Sequence, residues 1–185
     1  MPAFLPDRQS NLRGAPCRTT ASIAVIPIGE DPHAQAAARE LAHELALPLA
    51  ASNTGYDLLL APTSERLELR SNRDGRMAPL YVDFSGLDLR PYSPNLSRRQ
   101  PLARAFGKKT HTVVDATAGY CQDALLLALM GFRVTAMERS PIVAALARDG
   151  LRRLATQAGA RLPNRLQLVN GDSRVLLPAL ASRPD

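Results

Sequence analysis

Cysteine is nearly absent: two residues in 185, Cys17 and Cys121, far apart and neither with a C-x-x-C partner. This excludes a disulfide framework and a thiolate zinc site. The three histidines offer no substitute. His33 and His43 are separated by ten positions and do not stack on one helix face as a separation of four would, and His111 is remote from both. No metal is expected. No apolar run approaches the ~18 residues that a membrane span needs. The first twenty residues, with Pro2, Pro6, Pro16 and three arginines, lack the continuous apolar stretch of a secretory signal. A soluble, cytoplasmic protein without a membrane partner is the expectation.

Acidic residues are missing from one window, Leu89 to Val114, in a chain whose formal charge is +6. The window holds Arg90, Arg98, Arg99, Arg104, Lys108 and Lys109, with Tyr92 and Phe106 interleaved. Such a run would neutralise phosphates, so Arg98, Arg99, Arg104, Lys108 and Lys109 are candidate nucleic-acid-binding residues. A solvated face is the plainer alternative. Only two of the 23 basic residues are lysine, which an arginine-biased genome would also produce.

What is present is a succession of short apolar segments. S-I-A-V-I-P-I from Ser22 to Ile28 reads as an edge strand, and Asp31 and Pro32 open a helix with an apolar stripe of Ala34, Ala37, Ala38, Leu41 and Leu45 that stops before Pro48. The period then changes. Y-D-L-L-L-A and E-R-L-E-L-R make a hairpin, and a second turn at Asn72 to Gly75 leads to a further strand, P-L-Y-V-D-F, from Pro79 to Phe84. This β-α-β-β-β unit is small for independent stability and is expected to pack on the later part of the chain.

After a proline-rich stretch and a short helix ending at Gly107, the pattern becomes β-α-β-α-β-α. T-V-V-D, F-R-V-T-A-M-E and R-L-Q-L-V-N are the strands. The helices run from about Gln122 to Met130, from Pro141 through Gly150 to about Gln157, and up to about Leu180. Buried strands alternating with helices imply right-handed crossovers and a parallel sheet.

The chemistry lies at the strand ends. Asp115, Thr117 and Gly119 form the turn after the first of these strands, Glu138 ends the second, and Asp172 and Ser173 follow the third. An acid nineteen positions beyond the turn glycine is placed to accept hydrogen bonds from both hydroxyls of a ribose, and Asp172 could accept from an adenine amino group. The turn lacks G-x-G-x-x-G, offering Gly119, Cys121 and Ala124 in those places. Asp115 would repel a phosphate but could help hold an ammonium group. These residues favour S-adenosyl-L-methionine over NAD, with an α/β domain carrying incidental acids as the bland alternative.

V-V-D-A-T-A-G-x-x-x-D-A, M-E-R-S-P-I-V-A-A-L-x-x-D-G-L and R-L-Q-L-V-N-G-D-S resemble the RsmJ-type ribosomal small subunit RNA methyltransferases, and the likeness extends over most of residues 22 to 183. The resemblance implies methylation of guanine N2 in 16S ribosomal RNA, with that RNA or the small ribosomal subunit as partner. It also implies cofactor contacts at Gln122, Asp123, Glu138, Arg139, Asp172 and Ser173. The family's Gly-Leu-Gly-Arg-Asp stands here as Gly119-Tyr120-Cys121-Gln122-Asp123, which implies a side chain where bare backbone approaches the cofactor, and weaker binding. The family's G-R-G-E segment has no match. Its base-orienting D-P-M-F-P motif would fall past Asp185, so no catalytic residue is assigned.

The expected architecture is therefore a class I methyltransferase (Rossmann-like) parallel α/β sheet, C-terminally incomplete, with a small N-terminal β-α-β-β-β domain. Residues 1–21 read as a disordered tail, 22–86 as the small domain, 87–110 as a basic linker with a short helix, and 111–185 as the portion that binds S-adenosyl-L-methionine. Two other functions fit the same residues: a truncated or decayed homologue that binds RNA or a ribosomal particle without catalysis, and an NAD-linked oxidoreductase.

Overall fold

A computed structural model of the chain describes residues 21–73, 77–88, 90, 93–107, 109–157 and 164–180. The expected tail up to residue 20, Asp74 and Gly75 of the second turn, Tyr92 and Lys108 lie outside the described residues. The elements are β1 (Ile23–Val25), α1 (Pro32–Glu44), β2 (Leu58–Pro62), β3 (Leu67–Ser71), α2 (Pro101–Ala105), β4 (Thr112–Asp115), α3 (Gln122–Leu129), β5 (Arg133–Glu138), α4 (Pro141–Gln157), β6 (Leu166–Asn170) and α5 (Ser173–Leu176).

Among the described residues the strands form two three-stranded sheets, β1-β2-β3 and β4-β5-β6. In the first, β1 runs parallel to β2 across α1, and β2 and β3 form the antiparallel hairpin with Leu60 opposite Leu69. In the second, all strands are parallel, with Val113 beside Val134 and Ala136 beside Leu168. The carboxyl ends of β4, β5 and β6 therefore share one edge, which brings Asp115, Glu138 and the loop after Asn170 together.

Local chemistry explains the helix starts. The Asp31 carboxylate accepts from the backbone N–H groups of His33 and Ala34 while Pro32, which has no N–H to lose, occupies the first helical position. Ala34, Ala38 and Ala42 form the buried stripe of α1, whereas Ala37 is exposed. α3 is buried on most sides through Ala124, Leu125, Leu127 and Ala128, as its composition predicts, and ends at Gly131 with φ 97°.

The strand expected over Pro79 to Phe84 does not form. Only Leu80 pairs, in an isolated antiparallel bridge with Leu69. Pro79 has no N–H for a ladder, and the carbonyl of Val82 is taken by the Arg153 guanidinium of α4. Val82 and Phe84 are instead buried in the common core. That core is continuous between the two sheets: Val25 and Leu60 of the first belong to the same apolar cluster as Leu125, Phe132, Val134 and Leu146 of the second half. Full burial of each such large side chain contributes about 2 kcal/mol.

α4 is the seam. Asp149, 7% exposed, accepts from the backbone N–H of Leu67 at 3.1 Å and from Arg152 and Arg153 at 2.9 and 2.8 Å. Its neighbour Gly150 faces Val82 so closely that a Cβ would lie 2.7 Å from Val82 Cγ1. A glycine in mid-helix costs ~1 kcal/mol relative to alanine; here the close approach of Val82 requires it.

Candidate functional site

The turn after β4 is held by its own amides. Thr117 N–H donates to Asp115 Oδ1 at 3.1 Å, Ala118 N–H to the Met137 carbonyl at 2.9 Å, Gly119 N–H to Glu138 Oε2 at 3.0 Å, and Cys121 N–H to the Ala118 carbonyl at 2.8 Å. Gly119 (φ 52°) and Cys121 (φ 63°) both lie in the left-handed region. Glycine adopts it freely, whereas a residue with a Cβ gives up roughly 1–2 kcal/mol.

Cys121 is fully buried, in the same apolar cluster as Ala124 and Leu125. This corrects the expectation that its side chain stands where backbone should approach a ligand: the thiol is packed into the core. Burial, and then the charges of Asp115 and Glu138, push the thiol up to about 11. It stays protonated at neutral pH.

Glu138, at the end of β5, accepts from Gly119 N–H through one oxygen and from Ser140 N–H, at 2.7 Å, through the other. A carboxylate offers about four lone-pair sites, so it retains capacity for two more donors. The following loop is pinned from β6: Asn170 Nδ2 donates to the carbonyls of Glu138 at 2.8 Å and Arg139 at 3.3 Å. Asp172 caps α5 and is gripped by Arg174, whose Nε lies 3.0 and 3.1 Å from the two carboxylate oxygens and whose second guanidinium nitrogen lies 2.6 Å from Oδ2. The guanidinium, and then the Arg174 N–H, hold Asp172 down to about 2.

Thr117, Glu138, Arg139, Asp172 and Ser173 line one cleft of about 380 Å³, together with Ala116 and Arg174. Gly119 borders it through its bond to Glu138, and Asp115 acts behind it by fixing the Thr117 amide. Gln122 is exposed at the first position of α3. Asp123 lines a different cleft, of about 390 Å³, with Gln100, Leu102, Leu126 and Met130. A third, of about 280 Å³ between α1, the hairpin and α4, holds none of the candidates. Sequence reasoning missed Arg174, although its place two residues after a helix-capping aspartate, within reach of that carboxylate, was a readable signal.

The basic candidates lie away from the cleft. Arg98 donates to the Met130 carbonyl at the end of α3, and its guanidinium sits 4.2 Å from the ring centre of Phe132. It caps a helix C-terminus, where a cation also complements the dipole. Arg99, Arg104 and Lys109 are exposed.

Comparisons with known proteins cover most of the chain. Residues 40–185 match the family model described as "Putative SAM-dependent methyltransferase". The chain is similar to the "Ribosomal RNA small subunit methyltransferase J" of Aeromonas salmonicida (strain A449), 41% identical over 163 residues, covering 84% of this chain and 63% of that protein. The protein of the same name from Thioalkalivibrio sulfidiphilus (strain HL-EbGR7) is 43% identical over 155 residues, covering 80% and 61%. The chain thus spans about three fifths of these curated relatives' length. A crystal structure of a SAM-dependent methyltransferase from Neisseria gonorrhoeae superimposes with a TM-score of 0.65 at 29% identity, covering 89% of this chain and 66% of that one.

Proposed function

The chain belongs to the SAM-dependent methyltransferase family, and on that premise we propose that it binds S-adenosyl-L-methionine at the carboxyl edge of the β4-β5-β6 sheet. The protein then acts on the guanine N2 amine of 16S ribosomal RNA, in the cytoplasm with the small ribosomal subunit. The observation that carries this reading is the convergence of two carboxylates from different strand ends, Glu138 and Asp172, on one cleft with Thr117 and Ser173.

The donor set suits an adenosine with a cationic tail. Glu138 keeps lone pairs for two ribose hydroxyls, and Asp172, held ionised by Arg174, can accept from an exocyclic amine. The turn does not suit a pyrophosphate. Its Thr117, Ala118, Gly119 and Cys121 amides are already engaged within the protein, and Asp115 adds negative charge. This weighs against the NAD alternative.

When bound, the cofactor supplies an electrophilic methyl group on a cationic sulfur. The protein's own part is positioning: Glu138 orients the ribose, Asp172 the base, and the carboxylate of Asp115 favours the ammonium end. Holding reactants in line is itself worth several kcal/mol of barrier. No described residue is assigned to the target guanine.

Titration calorimetry with S-adenosyl-L-methionine and its demethylated product tests the reading. Binding by the wild-type chain, lost in Glu138→Ala, is expected. A folded chain that binds neither ligand at millimolar concentration overturns it.

A further inference from the structure

We propose that the opposite, amino-terminal edge of the β4-β5-β6 sheet is the surface that holds the RNA backbone, with Arg99, Arg104, Lys109 and Arg133 as phosphate-binding residues. The proposal rests on the RNA-modifying function and says where the nucleic acid is gripped.

The three parallel strands have opposite chemistry at their two ends. Each begins beside a cation: Lys109 precedes Thr112 by three positions, Arg133 opens β5, and Arg165 immediately precedes β6. Each leads into an acid, Asp115, Glu138 or Asp172. Arg99 and Arg104 join the cationic edge through their neighbours. Arg98 reaches the end of α3, and the Phe106 ring, 36% exposed, lies 6.0 Å from that of Phe132 just before β5.

Not every cation here is available. Arg98 and Arg165 donate to the carbonyls of Met130 and Gly131, so they serve the end of α3. The other four are different. Most other described arginines are neutralised: Arg66, Arg70, Arg73, Arg90, Arg148, Arg152, Arg153 and Arg174 each have a carboxylate partner, whereas Arg39 and Arg139 are exposed singly, away from this edge. Among the described residues none of Arg99, Arg104, Lys109 and Arg133 is in such a pair, and all four are exposed. An excess of unneutralised cations on one edge fits a polyanion whose counterions are released on binding. A folded protein surface presenting mixed charge has no such match.

The separation of the two edges constrains the ligand. β5 has six residues, so at ~3.3 Å per residue the edges lie roughly 17 Å apart. That is about five phosphate spacings of a stacked strand at ~3.4 Å each. A mononucleotide in the cleft gains nothing from the cationic edge, whereas a polynucleotide that crosses the domain engages both.

The test measures binding of transcribed 16S ribosomal RNA as a function of salt. For a variant with all four residues changed to alanine, the slope of log affinity against log salt is expected to fall by about 3, and for Arg133→Ala by about 0.8. Arg39→Ala, an exposed arginine of α1, should leave it unchanged. An unchanged slope in the fourfold variant, or an equal fall in Arg39→Ala and Arg133→Ala, overturns the proposal. The same variant should bind S-adenosyl-L-methionine as the wild type does. A chain that shows the salt effect but binds no methyl donor supports this surface and counts against the cofactor reading instead.

Discussion

Two groups of carboxylates in this protein use the same partners to opposite ends. Glu68 in β3 and Asp149 at the seam between the sheets are 4% and 7% exposed. Glu68 is held by Arg66 and Arg70 at 2.9 and 2.7 Å, and Asp149 by Arg152, Arg153 and the Leu67 amide. Burial alone would push both carboxyls up, and these bonds bring both below their usual range. In the cleft, Glu138 and Asp172 also accept from amides and an arginine, yet they face open space. A carboxylate enclosed by its donors fastens the fold. One with donors on its protein side and room on the other is prepared for a ligand.

The largest expected effect comes from emptying the seam. Asp149→Ala removes the carboxylate that accepts from Arg153 Nε, on a side chain 15% exposed, and from the Leu67 amide and is expected to cost about 3 kcal/mol, read as a shift in urea midpoint. A loss below ~0.5 kcal/mol, the range of ordinary surface changes, would make the seam no different from the exposed pairs. Because the folded carboxyl is depressed, this stability is present above the usual carboxylate pKa and is lost as pH falls through the lower folded value.

Gly150→Ala probes the seam without touching charge. Helix propensity alone favours alanine by ~1 kcal/mol. A Cβ at 2.7 Å from Val82 Cγ1 belongs with overpacking, which costs typically about 1–3 kcal/mol. A net destabilisation is expected; a stabilised variant would show that the seam yields.

Cys121→Gly sharpens the comparison from the cleft side. It relieves a left-handed Cβ but removes a fully buried thiol from the core, so stability should change by less than ~1 kcal/mol. Affinity for S-adenosyl-L-methionine should not change, since the thiol is packed inward. Tighter binding in calorimetry would restore the view that a side chain intrudes on the ligand.

The smallest effect is expected at Asp172. Its titration midpoint, about 2 beside Arg174, should move up toward 3.8 in Arg174→Ala, as read by carboxyl NMR. Any stability from this pair is present above pH 3.8 and lost as pH falls to about 2, with the exposed guanidinium screened by solvent. An unmoved midpoint would mean that the fork does not hold the carboxylate ionised.

Much of this was legible in the chain. Apolar runs of four to six residues alternating with helical patterns announced the parallel sheet, and the parallel direction put Asp115, Glu138 and Asp172 on one edge. What the chain did not make legible shares a cause. Pro79 to Phe84 has the alternation of a strand, but its backbone was claimed by Arg153 and its side chains by the core. Asp123 is close to the cleft residues in sequence and lines another cleft in space. Cys121 follows the turn glycine by two positions, and its side chain turns inward.

Sequence by itself determined most of the strands and helices, and which acids end the strands, because backbone periodicity and capping act over a few residues. It could not decide which cations are free. Arg98 and Arg133 are equivalent letters in a basic chain, yet the fold brings a helix's last carbonyl to one and no carboxylate among the described residues to the other. Pairing and burial depend on contacts between residues distant in the chain. Only the tertiary structure sets those.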